Sequence, residues 1–534
     1  MDAPSERPWR WRAIALALIL ANAGAHIVYL VRDCPLDLAP DEAHYWDWSR
    51  HPDWSYYSKG PGIAWLIHAS CRLFGPWAEA MSGSIMPAVR LPAVACGALL
   101  LGSLYVLAAQ TLKRESWACA LVAMALTVPP VAAGGFVMTI DSPFTACWGW
   151  ALVFGYEAAV RQRSWAWPIV GLLVGLGILA KYTMVLFLPS VGLFLLADCM
   201  RRKELLRPGF WCMCALAGLC CVPIIVWNAR HDWVTFHHVG WQAGVERREG
   251  WRWFGPLEFV GGQFALLLGY WFVAWAIAMI ASRPNRVADT SRSYLWWLSA
   301  PTFGVFLLAS LRTSGQLNWA VTAYLSGMVL AAGWLFDRWY RRDIRFGVFG
   351  ACTIGVGVLA IVHFPTAARP VFLAIAGPPT VKHPLPLRRF DPTCRLRGYK
   401  TLASTVDVIR RQVRAGSDEP LLAANNWNLP GLLGVYCDGH PEVYCLGLAL
   451  GDRRAQYDFW RPNPVWDPAE FRGKTFIVVG DVPPALVAAF ESVEPAREIR
   501  HSEGGQVVAI WHATVARGFK GFAPIDQLLQ GGKY

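Results

Sequence analysis

Residues 13–48, "AIALALILANAGAHIVYLVRDCPLDLAPDEAHYWDW", join a long apolar run to a short cluster of acids and aromatic rings. A helix that crosses a bilayer needs about 20 mostly apolar residues, and residues 13–31 come close to that length. The rest of the chain is similar, since 55% of its 534 residues are hydrophobic and only 16% are charged. This composition exceeds what a soluble core needs and predicts an α-helical polytopic membrane protein.

Ten further apolar runs have the composition of membrane spans. The eleven predicted spans are residues 13–31, 86–110, 117–135, 143–160, 166–180, 182–197, 209–227, 257–281, 294–311, 317–336 and 346–364. Because other spans follow the first, and no small-residue cleavage site is evident, we expect the first span to remain as an anchor. Residues 1–380 are therefore a predicted membrane domain.

The positive charges alternate along these runs. Lys and Arg form short clusters before the first run and after the even-numbered runs, as in cytoplasmic loops. The net charge of +12 therefore encodes topology, and we expect no nucleic-acid partner. The segments predicted to share the opposite, external face are the loop 32–85, the turns 134–143, 180–183 and 311–319, the segment 228–256 and everything after residue 364.

The loop 32–85 contains the acids and aromatic rings of the opening stretch. Pro40 suits the first turn of a helix, where Asp41 and Glu42 would be ionised beside unpaired backbone N–H groups. Tyr45, Trp46 and Trp48 would then form an aromatic face at the headgroup level. The "YYSKGPG" turn returns Lys59 to this surface, and residues 63–75 are predicted to form a second helix too short to span.

A carboxylate beside a cation at a membrane surface suits group transfer. A base needs access to an acceptor hydroxyl, and a leaving phosphate needs a positive charge nearby. Sugar transfer from a polyprenyl phosphate requires both, and its lipid tail would account for the many spans. The alternative is a polytopic secondary transporter or flippase of lipid-linked sugars, although transporters usually have internal repeats and charges at the bilayer midplane.

Four stretches also resemble a known family. They are "PDEAHYWDWSRHPDWSYYSKGPGIAWLIHASCRLFG" at 40–75, "RLPAV" at 90–94, "GFVMTIDSPFTACWGWAL" at 135–152 and "GLGILAKYTMVLFLPS" at 175–190. Together they resemble the bacterial protein O-mannosyltransferase-like glycosyltransferases of the GT-C superfamily, which includes the aminoarabinose transferase of lipid A. The resemblance covers about residues 10 to 335.

The resemblance implies a GT-C fold and roles for particular residues. Asp41 would be the catalytic base or orient the acceptor, with Glu42 as its neighbour and Asp141 as a second acid, and Lys59 would contact the donor phosphate. His44 stands where the aminoarabinose transferase has an arginine, and "KGPG" replaces a lysine followed by paired prolines. The identity of the acceptor therefore cannot be inferred from the aminoarabinose transferase.

Further candidates have simpler alternatives. Lys181 and Arg312 are candidate phosphate ligands. Alternatively, Lys181 could extend its ammonium group to the membrane interface, and Arg312 could only help to set the orientation of the spans. The acids at 41, 42 and 141 could be helix caps. The candidate substrate-binding residues are His44, Tyr57 and Asn318. Arg247, Arg248 and Arg252 form a basic patch for lipid headgroups, and His231, His237 and His238 have no metal-site spacing. We expect no metal and no cofactor.

Residues 381–534 differ in composition and predict a small external α/β domain. The predicted strands lie in "PLLAANN", "EVYCLG", "TFIVVG" and "QVVAIWHATV", with helical patterns at 401–414 and 483–494. We expect this domain to cover the cavity or select the acceptor. Cys437 and Cys445 could form a disulfide or stay free.

These observations predict a glycosyltransferase that uses a polyprenyl-phosphate sugar to modify lipid A, a glycan or a protein, with inversion as the expected outcome. The expected location is the bacterial inner membrane, with the catalytic face and the C-terminal domain in the periplasm. We expect a monomer.

Overall fold

The computed structural model describes residues 7–32, 34–242, 244, 250–284, 289–380, 383–414 and 419–523. A long helical region precedes a smaller region built on a β-sheet. Arg247 and Arg248 of the predicted basic patch lie outside the described residues.

The helical region contains helices α1 to α19. They are α1 (Pro8–Arg32), α2 (Pro40–Arg50), α3 (Gly62–Ser82), α4 (Met86–Leu112), α5 (Glu115–Ala125), α6 (Pro129–Gly134), α7 (Asp141–Gly155), α8 (Ala166–Ala180), α9 (Phe187–Ala197), α10 (Pro208–Cys220), α11 (Val222–Ala229), α12 (Val234–Gln242), α13 (Gly255–Leu266), α14 (Tyr270–Ala281), α15 (Thr290–Trp297), α16 (Ala300–Ala309), α17 (Ala323–Phe336), α18 (Arg342–His363) and α19 (Pro365–Ala376). A π-helical turn, Tyr156–Val160, follows α7, and 3₁₀ turns at Tyr182–Leu186, Arg202–Leu206 and Leu317–Ala320 precede α9, α10 and α17.

The predicted spans are helical, but several are broken. Among the described residues, three helices (α1, α4 and α18) are long and apolar enough to cross a membrane, or up to five spans if the bent pairs α10–α11 and α13–α14 each count as one. Shorter apolar helices, such as α5 and α8, add to them. The predicted span at 257–281 is not one continuous helix, because α13 and α14 meet at 115°. Leu268 and Gly269 between them have φ values of 53° and 69°, which an α-helix cannot contain.

The segments predicted to be cytoplasmic contact one another. Arg12 pairs with Glu115 at 2.7 Å, and Arg292 pairs with Asp337 at 3.0 Å. Arg201 donates to the Ala159 carbonyl at 2.9 Å. The basic clusters therefore lie at one end of the bundle, as their alternation predicts.

Two expectations for the loop 32–85 are wrong. Helix α3 has 21 residues rather than the short helix predicted at 63–75, and it continues past the internal Pro76. Helix α2 starts at Pro40 as expected, but Trp46 and Trp48 are buried rather than exposed at the headgroup level. Trp48 stacks on Tyr56 at 4.5 Å. Helix α2 is covered by protein because it packs between α3 and the C-terminal region.

The C-terminal region combines four helices with a six-stranded sheet. The helices are α20 (Leu387–Phe390), α21 (Tyr399–Arg414), α22 (Pro430–Tyr436) and α23 (Pro484–Ala488), and the strands are β1 (Leu421–Ala424), β2 (Val443–Cys445), β3 (Phe476–Val479), β4 (Phe490–Val493), β5 (Arg497–Glu503) and β6 (Gln506–Phe519). The order is β2-β1-β3-β6-β4, with β5 also paired to β6. Strand β1 is parallel to β2 and β3, whereas β6 is antiparallel to its partners.

The four predicted strands are confirmed, whereas the helical pattern at 483–494 is wrong after Ala488. Residues 490–493 pair with β6 as a strand, so tertiary pairing overrides the local pattern. Cys437 and Cys445 are buried and free.

The two regions share an interface through α2 and α22. The Tyr399 N–H donates to the Asp37 carboxylate at 2.8 Å, and the Tyr436 hydroxyl accepts from the Leu38 N–H at 2.7 Å. A Cβ added at Gly431 would lie 2.5 Å from the Ala43 carbonyl oxygen, so the backbones are in direct contact. The C-terminal region is thereby seated over the first loop.

Candidate active site

A cavity of about 270 Å³ opens where the predicted external turns meet the C-terminal region. Its walls are formed by Asp41, His44, Tyr45, Tyr57, Ser58, Lys59, Thr139, Ile140, Asp141, Lys181, His238, Gln242, Gln316, Asn318, Trp319, Trp427, Arg453, Arg454, Ala455 and Gln456. Seven of the nine predicted site residues are among them. The exceptions are Glu42 and Arg312.

Glu42 is a positioning residue rather than a wall of this cavity. Its carboxylate accepts from Arg90 through two nitrogens, at 2.9 and 2.7 Å, and neither side chain is exposed. It also accepts from the backbone N–H groups of Ala39 at 2.9 Å and Met138 at 2.8 Å. These bonds tie α2 to α4 and to the turn before Asp141, so the catalytic role predicted for Glu42 does not fit its surroundings.

Asp41, the adjacent residue, faces the cavity. Its side chain is accessible from the cavity, although protein atoms enclose the cavity around it. This burial raises the pKa of Asp41, and the charges of Lys59 and Arg453 oppose the increase. A carboxylate with a raised pKa, accessible from a cavity, is a suitable general base.

Lys59 is held at the cavity by a close backbone contact. A Cβ at Gly60 would lie 2.3 Å from the Leu179 carbonyl oxygen, and one at Gly62 would lie 3.0 Å from the same atom. The glycines of "KGPG" therefore let the loop rest on the end of α8, next to Lys181. Burial lowers the pKa of Lys59 to about 8, and the charge of Lys181 acts in the same direction.

Asp141, Lys181 and Asn318 form a hydrogen-bonded group in the cavity wall. The Lys181 ammonium donates to Asp141 Oδ1 at 2.7 Å, and the Asn318 amide donates to Oδ2 at 2.5 Å. Lys181 is only 7% exposed, so it is paired within the protein and does not snorkel. Both oxygens of Asp141 accept from side chains, which favours the site role over the helix-cap alternative.

Two buried histidines offer neutral hydrogen-bonding groups. His44 Nε2 accepts from the Trp48 indole N–H at 3.1 Å, so Nδ1 carries the proton, and it has no partner among the described residues. His238 lies 4.7 Å from the Tyr57 ring, and its two nitrogens also lack partners in the described chain. Burial lowers the pKa of each histidine to about 3, so both are neutral at physiological pH.

The C-terminal region contributes residues that sequence reasoning missed. Arg453 lies 4.3 Å over the Trp427 ring, and Arg454 lies 4.5 Å over Phe459. The Gln456 side chain accepts from the Tyr57 N–H at 2.7 Å and so joins this region to the loop containing Lys59. The adjacent arginines of "GDRRAQYDFW" were the available signal, and the expectation that this domain covers the cavity agrees with their position.

Arg312 lies away from the cavity. Arg312 lies 4.2 Å over Trp251 rather than at the cavity, so the phosphate role predicted for it does not fit this position. Within the part of the chain that the structure describes, no group of three or more His, Cys, Asp or Glu residues could hold a metal ion.

Sequence comparisons find related glycosyltransferases. Residues 58–227 match the family described as dolichyl-phosphate-mannose-protein mannosyltransferase. The lipid A galacturonosyltransferase RgtD of Rhizobium johnstonii is 30% identical over 345 residues, which are 62% of this chain and 66% of that protein.

Solved structures of ArnT from Cupriavidus metallidurans share the fold. The apo form has a TM-score of 0.57 at 17% identity and covers 93% of this chain and 97% of ArnT. The form bound to undecaprenyl phosphate has a TM-score of 0.62 at 18% identity and covers 94% and 98%. The chain has the GT-C fold, and its sequence groups it with the bacterial protein O-mannosyltransferase-like glycosyltransferases.

Proposed function

We propose that this protein transfers a sugar from a polyprenyl-phosphate donor to a lipid A-type glycolipid at the periplasmic face of the bacterial inner membrane. The observation that carries the proposal is the cavity in which the accessible Asp41 carboxylate lies near the Lys59 ammonium. The secondary transporter and flippase alternatives have no counterpart among the relatives named above.

A second cavity supports a lipid-linked donor. Its surface is apolar and comes from α4, α5, α6, α13, α14 and α17, and Val321 and Tyr324 are among its lining residues. The preceding residues of the same segment, Asn318 and Trp319, line the active-site cavity. A ligand with a polar head and a long apolar tail would therefore find both environments along one segment, and ArnT has been crystallised with undecaprenyl phosphate.

The chemistry is a single displacement at the anomeric carbon. Asp41 accepts the proton of the acceptor hydroxyl while the hydroxyl oxygen of the acceptor forms a bond to the anomeric carbon. The bond from that carbon to the phosphate oxygen breaks, and its electron pair leaves with the polyprenyl phosphate. Lys59 stabilises the negative charge that develops on the phosphate. Attack from the face opposite the leaving group inverts the anomeric configuration.

Asp141, Lys181 and Asn318 orient the donor in this scheme. Lys181 adds a second positive charge near the phosphate, and its bond to Asp141 fixes the ammonium in place. The neutral His44 and His238 provide hydrogen bonds to sugar hydroxyls because each has a ring nitrogen without a protein partner among the described residues. The name of the Rhizobium relative suggests lipid A as the acceptor and galacturonic acid as a candidate sugar.

Transfer by an Asp41→Asn variant tests the proposal. Purified protein would receive a polyprenyl-phosphate sugar and lipid A, and mass spectrometry would quantify the product. We expect the rate to fall by at least about 100-fold, with unchanged thermal unfolding and donor binding. The control is Asp438→Asn, which removes an exposed carboxylate of the C-terminal region. Full transfer by the Asp41 variant, or movement of the lipid-linked sugar across vesicles without transfer, would reject the proposal.

A further inference from the structure

We propose that Arg453 makes this enzyme selective for a donor whose sugar carries a carboxylate. The inference deepens the proposed function and depends on it. It also assigns the C-terminal region a part in choosing the donor sugar.

The charges around the cavity leave an unmatched positive charge. Four cations line it, Lys59, Lys181, Arg453 and Arg454, against two carboxylates, Asp41 and Asp141. The neutral histidines add no charge. Arg454 acts on Asp458 outside the cavity wall, and a polyprenyl phosphodiester supplies a counter-charge for Lys59, which leaves Arg453 without a carboxylate at ion-pair distance among the described residues. Arg453 is partly exposed at the cavity, so a substrate carboxylate can reach it and supply the ion-pair partner that it lacks.

Arg453 is the cation best placed to bind this anion. Lys181 is paired with Asp141 at 2.7 Å, and the charge of Arg454 acts on the buried Asp458. Within the described ranges, no carboxylate lies within ion-pair distance of the Arg453 guanidinium, which rests on the Trp427 ring at 4.3 Å. Stacking leaves the edge of the guanidinium plane open for two parallel hydrogen bonds to a carboxylate.

Arg453 also lies at the end of the cavity where the sugar must react. It lies over Trp427, whose ring centroid is 5.5 Å from that of His44, and Asp41 lines the same cavity. Asp41 is the base that acts beside the anomeric carbon, whereas Lys59 holds the phosphate. His44 also lines the cavity, and its buried Nδ1–H has no partner among the described residues. A carboxylate on the sugar ring would thus meet guanidinium and imidazole donors together.

A matched pair of donors tests this inference. One is polyprenyl-phosphate galacturonate, and the other is polyprenyl-phosphate galactose, which differs only in a hydroxymethyl group in place of the carboxylate. We expect the wild type to have the higher kcat/KM with galacturonate. Arg453→Gln should lower that value by roughly 100-fold and should change the value for galactose by less than about threefold.

Two further variants separate charge and shape from folding. Arg453→Lys keeps the charge but loses the planar fork, so we expect an intermediate loss with galacturonate. Arg472→Gln removes an exposed arginine of the same region, remote from the cavity, and should match the wild type. Thermal unfolding of each variant would show whether a loss comes from misfolding. An Arg453→Gln protein that unfolds early and loses both donors equally would contradict a selective role.

The remaining outcomes identify what fails. Preference of the wild type for galactose, or equal losses for both donors, would overturn the inference while the proposed function stands. A loss that depends on a phosphate of the acceptor, shown with dephosphorylated lipid A, would assign Arg453 to the acceptor and overturn it as well. No transfer from either donor would reject the proposed function. Equilibrium binding of the two donors would then decide whether Arg453 recognises the carboxylate.

Discussion

Glu42 and Arg90 form a fully buried ion pair, with N–O distances of 2.9 and 2.7 Å. Arg90 also donates to the carbonyls of Leu36 at 3.2 Å and Asp37 at 2.8 Å. The pair therefore fixes the chain on both sides of the Pro40 turn. Of two adjacent acids, one holds the loop in place and the other, Asp41, remains available to the cavity.

Glu42→Gln should destabilise the protein, because it leaves the Arg90 charge buried without a counter-charge. Removal of one partner of a buried pair costs about 3–5 kcal/mol. Thermal unfolding in detergent would measure the loss. Asp41→Asn is the matched control, since it changes the neighbouring acid without breaking the pair, and equal unfolding temperatures for the two variants would contradict this division of roles.

Transfer should decrease at alkaline pH as Lys59 loses its proton. Burial lowers the pKa of Lys59 to about 8, so the cation that binds phosphate is lost as the pH rises through that value. On the acid side, activity should fall as Asp41 becomes protonated. Because burial raises the pKa of Asp41, this fall should occur at a higher pH than for an ordinary aspartate. A pH profile of kcat/KM would measure both limits. In Lys59→Arg the alkaline decrease should disappear, because arginine stays charged.

Asp141 and Lys181 should act as one unit. Lys181→Met and Asp141→Asn each break the 2.7 Å ion pair, and each should lower transfer by roughly 10-fold to 100-fold. The double variant should lose much less than the product of the two single losses, since residues in direct contact are not additive. Independent effects in this double-mutant cycle would argue against a shared role.

The tautomer of His44 predicts which replacement is tolerated. Nε2 accepts from Trp48, and the buried Nδ1–H of this cavity-lining residue has no partner among the described residues. An asparagine amide can occupy the position of Nδ1, whereas a glutamine amide reaches the position of Nε2. We therefore expect His44→Asn to keep a KM within about threefold of the wild type and His44→Gln to raise it by about 10-fold, the value of one hydrogen bond. Steady-state kinetics would compare them, and the reverse order would refute the assigned tautomer.

Gly431→Ala should weaken the seating of the C-terminal region. The added Cβ would lie 2.5 Å from the Ala43 carbonyl oxygen, so α22 must move away from α2. Overpacking of this kind costs about 1–3 kcal/mol, and the shift should carry Arg453 away from the cavity and lower transfer. Limited proteolysis and activity would report it. Gly350→Ala, where no atom lies within 4 Å of the added Cβ, is the control and should behave as wild type.

Much of the architecture follows from local pattern. Apolar length and the alternation of basic clusters predicted helices whose cytoplasmic ends lie together. The Arg12–Glu115 ion pair, which joins the segments before the first and after the second predicted span, is an example. Hydropathy could not predict where a helix breaks, since the 115° bend between α13 and α14 depends on the backbone conformation of two residues. The resemblance of the loops to a known family predicted Asp41, Lys59 and Asp141 at one site, and the structure brings them into one cavity.

The sequence by itself determined the membrane-spanning helical class, the grouping of the external turns and the candidate acids and lysines, because hydropathy and charge act residue by residue along the chain. Only the tertiary structure decided which acid of the pair faces the cavity, that α2 is buried under the C-terminal region, and that Arg453 and Asp41 line the same cavity. These outcomes depend on contacts between residues separated by up to about 400 positions, such as Tyr57 with Gln456, and no local pattern specifies such contacts.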